Sequence, residues 1–472
     1  MPTPSSKYTG ACFQLQARKA IVCPEKHDKD INTSNSHRYE PAFIKGICSE
    51  GAGKIMMRAI HRAKYALVDP YVLLPNAAVD IVENGTLANI TPWRDSFRDS
   101  RKTVVDWGSA VIMPGLINAH VHLELTSLCN RLTGYGSFTD WLSQLISKRR
   151  SWSLDEFQSS IREGIVLSLA SGTTTVGDIA TSGMTGSITR GNTLRQVIFE
   201  ESIALSPGQA EQTIADLNRI LDTSKPGELI RQGVSPHSPY SVSGELYRRL
   251  SALARDRKMP LTTHVAETMS EIQFLKTGTG EFRDFLQALN VFPADWNPPG
   301  LHPIPYLHSL GVLGPNCLLV HCNYLDRESI DLLSGSGSSV VYCPRSHAFF
   351  GHPQHPVREL LDSGINIALG TDSLASNTTL SMLDEIRFLY KERKDLKPEE
   401  ILKAATINGA KALNYGNSAG LLKPGCRADM TVLEVPSNMK ARQVPEQILE
   451  GAGKCIGTIV EGRIAYKKIV AG

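Results

Sequence analysis

Two imidazoles stand one residue apart in the run PGLINAHVHLE, at His120 and His122. In an extended strand residues i and i+2 project from one face, so both rings can reach a single ion. Other apolar runs also end on groups that bind metals or protons. PLTTHVAE ends in His264 with Glu267 three residues on, CLLVHC ends in His321, and NIALGTD ends in Asp372. Three or four imidazoles with one carboxylate are a donor set for Zn²⁺ or Fe²⁺. The chain holds 13 histidines, so an isolated His-x-His says little. Histidine at the ends of several separate apolar runs, joined by Asp372 at another, is a pattern that chance rarely produces.

Those runs are the elements that must position the chemistry. Between about Met113 and Gly420 the chain alternates short apolar runs with helical patterns. Eight runs qualify: VIMPGLIN, TTTVGDI, RQVIFE, RQGVSP, PLTTHV, CLLVHC, SVVYCP and NIALGTD. Amphipathic stretches such as LDEFQSSIREGIVLSLASG separate most of them. Eight such units predict an α/β fold, a closed (β/α)8 TIM-like barrel, whose site lies at the carboxyl ends of the strands. Residues 62–112 and 421–472 read as short β segments with the turns Glu83-Asn84-Gly85 and Glu461-Gly462. Because chain ends often lie together, the two flanks are expected to pair into one small β-sandwich. Residues 1–61 lack sustained periodicity and read as a loosely ordered extension.

Composition narrows the function class. The 472 residues carry 50 basic and 47 acidic side chains, a net charge of +3. That balance is not the footprint of a nucleic-acid binder or of a membrane-surface protein. No run of 18 apolar residues occurs, so no membrane span is expected. Nine scattered cysteines without a CxxC pair, and no secretory segment at Met1, predict reduced thiols in a cytoplasmic chain.

Taken in order, PGLINAHVHLE, HVAET, VHCNYL, LGTDSLASN, NGAKALN and GLLKPGCRADMTVLE resemble the metal-dependent amidohydrolase superfamily over about Ala66 to the C-terminus. Within it the chain is similar to the branch of nucleobase and nucleoside deaminases and triazine hydrolases. The resemblance implies one divalent metal, Zn²⁺ before Fe²⁺, since the bridging lysine of two-metal members is missing from RQVIFEES and RQGVSPHSPYSV. It implies His120, His122, His264 and Asp372 as metal ligands, with Asp372, Glu267 and His321 as catalytic residues. Asp372 would take a proton from the metal-activated water, Glu267 would protonate a ring nitrogen, and His321 would steady the developing oxyanion.

His237, in the stiff turn PHSPYSVS, matches a histidine that related deaminases present to the substrate. Glu124, Phe138 and Trp141, in LELTSLCNRLTGYGSFTDWLSQLI, are expected in the substrate loop, although aromatic residues at such spacing more often build core. His347, His352 and His355 are expected at the pocket rim, and Ser346-His347 departs from the Ser-Asn of many relatives. HLELT with FTDWL is most similar to aminodeoxyfutalosine deaminases, which act on a 6-aminopurine nucleoside in a menaquinone route. The alternatives are deamination of S-adenosylhomocysteine, methylthioadenosine or guanine, triazine hydrolysis, and an inactive barrel that only binds. The expected partner is a small molecule, without nucleic acid or membrane, and the resemblance allows a homodimer.

Overall fold

The computed structural model describes residues 58–468, apart from 99–101, 133–135, 224–226 and 228. Most of the stretch read as an extension lies outside the described residues. Its last part does not behave as a polar tail, because the first strand, β1 (Ala59–Asp69), begins inside it. His61 is buried there and its Nδ1 accepts from the Trp107 indole at 3.0 Å. A hairpin turn leads to β2 (Val72–Ile81), fixed by Asp69 Oδ1, which accepts from the backbone of Tyr71 and Val72. Three shorter strands follow: β3 (Leu87–Pro92), β4 (Thr103–Asp106) and β5 (Ala110–Pro114).

Eight parallel strands then form the barrel: β6 (Leu116–Val121), β7 (Thr173–Ala180), β8 (Arg195–Ser202), β9 (Ile230–Pro236), β10 (Leu261–Val265), β11 (Cys317–His321), β12 (Ser339–Tyr342) and β13 (Asn366–Leu369). All eight runs read from the sequence supply one strand each. The first is divided, however. Val111 to Pro114 pairs in the flanking sheet, and only Leu116 onward enters the barrel. Gly115 makes the break possible, since a Cβ there would fall 2.1 Å from Thr174 Oγ1.

The ring closes where β13 returns to β6. Val121 and Asp372 form a parallel bridge, and the Asp372 N–H donates to the His120 carbonyl at 3.1 Å. Gly370 lies against this seam, where a Cβ would meet the His120 carbonyl at 2.8 Å and Cys343 Sγ at 3.1 Å. A register shift in β6 between Asn118 and Val121 changes which residues face inward. Ile117 can thus join Val197, Phe199, Leu318, Val320 and Ala368 in the barrel core, with His120 and His122 above them.

The outer helices are amphipathic. Leu154–Ala170 starts with a reciprocal Ser153–Glu156 capping box and buries Phe157, Ile161, Ile165 and Leu169 on one stripe. After the barrel, β14 (Met430–Glu434), β15 (Lys454–Val460) and β16 (Arg463–Lys467) join the N-terminal strands. The sheet order is β16-β15-β14-β5-β1-β2-β3, with β4 also pairing β1, so both chain ends share one mixed sheet. The Glu461-Gly462 turn has positive φ at both residues, the backbone of a tight β-hairpin.

Arg195, at the start of β8 and 1% exposed, ties the barrel floor to this sheet. It grips Asp429 through Nε at 3.0 Å and Nη2 at 3.2 Å, and reaches Glu461 at 3.0 Å. Removing one partner of such a buried pair strands the other charge. Arg195→Ala should therefore cost about 3–5 kcal/mol and lower the thermal midpoint in calorimetry. Metal content, set at the opposite end of the barrel, should not change.

Candidate metal centre and active site

His120 and His122 leave the carboxyl end of β6, His264 sits on β10, and Asp372 follows β13. The ligand nitrogens of the three histidines lie within 4.8 Å of one another. Asp372 Oδ1 stands 3.5 Å from His120 Nε2 and 3.6 Å from His122 Nε2. These separations are long for hydrogen bonds and suit ligands spaced around one ion. Both ring nitrogens of His120 are buried without a hydrogen-bond partner among the described residues. Such an orphan is costly unless something coordinates it. His264 Nδ1 bonds the His237 carbonyl at 2.9 Å. A carbonyl can only accept, so Nδ1 carries the proton and Nε2 keeps its lone pair for a cation. The residues present thus fit a divalent metal.

Electrostatics agree with that fit. Burial holds His264 down to about 4, with His120 adding to the effect. Burial also keeps His122, His237 and His321 well below the ordinary imidazole value. They are therefore neutral, as metal ligands must be. For Asp372 burial works upward, but the facing imidazoles of His120, then of His321 and His122, hold the carboxyl well below the usual range. Ser346 and Ser376 donate to its Oδ2 at 2.7 and 2.9 Å, and the Ser373 N–H donates to Oδ1.

Glu267 faces the same space from the loop after β10, 3.3 Å from His321 Nε2. Its carboxyl is pushed well above the ordinary value by burial first, then by the Asp372 and Glu271 charges. Two carboxyls in one pocket are thereby shifted in opposite directions, the arrangement that separates a base from an acid. The loop is anchored by Glu271, whose carboxylate accepts from the Ala266 and Glu267 N–H groups at 3.1 and 2.9 Å. Asn323 also donates to the Glu267 carbonyl. Ala266, His321, Cys322 and Asp372 all have positive φ, a conformation non-glycine residues adopt at an energetic cost. Backbone strain is concentrated at this end of the barrel.

His237 follows β9 beside His264, with ring centroids 5.1 Å apart, and its Nδ1 bonds Ser241 Oγ at 2.6 Å. The structure thus brings together His120, His122, His237, His264, Glu267, His321 and Asp372. It takes Glu124 and Trp141 elsewhere. Glu124 is 1% exposed and occupied by Arg149, Thr181, Ser182 and Thr185. The Trp141 indole donates to the Ala375 carbonyl and packs beside Phe138 and Phe350. Of the histidines expected at the rim, His352 is partly exposed, whereas His347 and His355 lie deeper. His355 is 1% exposed and its Nε2 bonds the His321 carbonyl at 2.8 Å, while His347 bonds Asn323 and Pro353.

Sequence reasoning missed three partners. Glu271 was readable, because Thr268-x-x-Glu271 has capping-box spacing and Thr268 does cap the helix Met269–Thr277. Ser346 sits in the Ser-His pair noted as a departure. Glu201, next to the last residue of β8, faces inward, and its carboxyl lies within 4.8 Å of ligand atoms on His237 and His264. The signal in RQVIFEES was a glutamate at the carboxyl end of a barrel strand.

The sequence profile of the Amidohydrolase family matches residues 111–465. A 5-methylthioadenosine/S-adenosylhomocysteine deaminase of Syntrophobacter fumaroxidans is 31% identical over 74% of this chain and 78% of its own length. A zinc-bound adenosine deaminase of Xanthomonas campestris superposes with TM-score 0.74 at 23% identity, covering 88% of this chain and 95% of its own. Helicobacter pylori aminofutalosine deaminase, in complex with methylthio-coformycin, gives TM-score 0.76 at 22% identity, over 86% and 99% of the two chains.

Glu271 touches no metal ligand side chain yet shapes the loop that carries Glu267. Glu271→Ala should keep the metal at wild-type stoichiometry and lower turnover by about 10- to 100-fold. Elemental analysis beside steady-state kinetics separates the two effects.

Proposed function

The chain belongs to the amidohydrolase family, hydrolases of carbon–nitrogen bonds, and on that premise we propose that it deaminates an aminopurine nucleoside, replacing the amino group with oxo and releasing ammonia. The observation that carries this reading is a pair of buried carboxyls facing one histidine cradle, Asp372 3.5 Å from His120 Nε2 and Glu267 3.3 Å from His321 Nε2, shifted in opposite directions by their surroundings. Hydrolysis of an amidine needs both a proton acceptor for water and a proton donor for the ring. The deaminase similarity of the Syntrophobacter relative supports the purine nucleoside class.

His120, His122, His264 and Asp372 would hold one divalent ion, with Zn²⁺ favoured by the imidazole set and by the zinc in the Xanthomonas neighbour. When bound, such an ion lowers the pKa of a coordinated water to about 7. Asp372 accepts the proton of the attacking water, its carboxylate oriented by Ser346 and Ser376. Glu267 delivers its proton to the ring nitrogen beside the amino-bearing carbon, so that the electron pair displaced onto that nitrogen leaves no full negative charge there. His321, in contact with Glu267, steadies the oxygen added to the carbon. Asp372 passes the proton it took from water to the amino group, ammonia leaves, and the added hydroxyl returns its proton to Glu267 as the ring keeps the oxo group.

Among aminopurine nucleosides we favour adenosines altered at the 5′ position, the class named for the Syntrophobacter relative. Aminodeoxyfutalosine is the second reading, supported by the fold of the Helicobacter neighbour. An ammonia-release screen over adenosine, methylthioadenosine, S-adenosylhomocysteine, aminodeoxyfutalosine, guanine, cytosine and a triazine tests both. Turnover confined to cytosine or to triazines overturns the nucleoside reading.

Glu267→Gln should lower kcat by about 10²- to 10⁴-fold, the range for losing a general acid, with metal content intact. Near-wild-type turnover would remove Glu267 from the mechanism. The pH profile should follow the same group. A carboxyl with a raised pKa holds its proton below that value and loses it as pH rises through it, so kcat/KM should decline on the alkaline side.

A further inference from the structure

The described reaction employs Glu267, His321 and Asp372 and leaves one inward-facing carboxylate without a task. Glu201 alternates with Val197 and Phe199 along β8, and those two side chains are buried in the barrel interior. In register with β9 it stands beside Ser235, two residues before His237. Its carboxylate, the His237 imidazole and the His264 imidazole offer atoms within 4.8 Å of one another. Glu201 Oε1 is buried and has no hydrogen-bond partner among the described residues. Arg149 is near enough to act on it electrostatically, but its guanidinium is bonded to Glu124.

Neighbouring His237 is similarly poised. Ser241 Oγ donates to the Ser238 carbonyl at 3.2 Å, so the 2.6 Å contact with His237 Nδ1 is best satisfied by a proton on that nitrogen. His237 Nε2 is then an acceptor. Burial raises the Glu201 carboxyl to about 8, so it offers a hydroxyl donor as well as an acceptor, and with the His237 acceptor beside it the pair suits a ligand that both donates and accepts, as a vicinal diol does.

We propose that Glu201, with His237 beside it, recognises the vicinal hydroxyls of the substrate's ribosyl group. This rests on the nucleoside reading of the same site. Orientation argues for the sugar over the base. The amino-bearing carbon must lie at the histidine cradle and its adjacent ring nitrogen at Glu267, after β10. Glu201 and His237, after β8 and β9, lie on the other side of His264. The part of a 6-aminopurine nucleoside remote from its reacting amidine is the glycosidic edge, which carries the two hydroxyls.

The test compares wild type, Glu201→Gln and Glu201→Ala on adenosine and on 2′,3′-dideoxyadenosine, or the same pair in whichever 5′ series the screen identifies, with metal content measured in each. Leaving a buried hydroxyl without its partner corresponds to about 10- to 100-fold in binding. Glu201→Ala should lose that factor in kcat/KM on the ribosyl substrate, chiefly through KM, and change the dideoxy substrate by less than about threefold. Glu201→Gln, which keeps an acceptor oxygen, should fall between. Equal losses on both substrates, or an undiminished preference for the hydroxylated one, overturn the role of Glu201 while leaving the deaminase reading intact. A metal-loaded wild type inert to every nucleoside overturns that reading, and this role with it.

Discussion

The seam at which the barrel closes is the contact on which the rest depends. The Asp372 N–H donates to the His120 carbonyl, and Val121 bridges Asp372. The last barrel strand is therefore joined to the first through two of the residues proposed to hold the metal. The ring cannot close in another register without pulling Asp372 away from His120 and His122. Gly370 enforces that register, because a side chain there would collide with the His120 backbone. Fold and site are specified by one contact.

Around the seam, polar groups are held by partners that leave them a single task. His264 bonds a backbone carbonyl through one nitrogen and keeps the other free. Ser346 and Ser376 occupy one Asp372 oxygen, and Glu271 occupies the backbone N–H groups of the Glu267 loop. His355 supports His321 from behind. Such supports restrict ring and carboxylate rotation before substrate arrives, so less ordering remains to be done during reaction.

Much of this was legible in the sequence because strand periodicity is local. His120 and His122 share a face whatever surrounds them, and each apolar run ended within about three residues of its strand's end. What was not legible depended on contacts distant in the chain. Glu124 could face a ligand or its own protein. The outcome was decided by Thr181 and Ser182, beyond the next strand, whose N–H groups needed an acceptor. Trp141 was settled likewise by Ala375, more than two hundred residues away. The split of VIMPGLIN at Gly115 had a signal in its Pro-Gly pair, but the pairing of β5 with β14 lay at the far end of the chain.

That pairing bears on how the chain comes to be folded as it is made. β5 sits between β1 and β14, and β14 leads to the outer strands β15 and β16. One flank of β5 therefore stays open until Met430–Glu434 emerges from the ribosome. During that interval Ile112 and Met113 have no strand against them on that side, and Asp429 has not yet arrived to neutralise Arg195. Long-range closure of this kind is slow and exposes sticky strand edges. The final segment thus behaves as a latch. A chain released early would carry a complete set of catalytic side chains on a body with an unpaired edge, a natural target for chaperones and proteases.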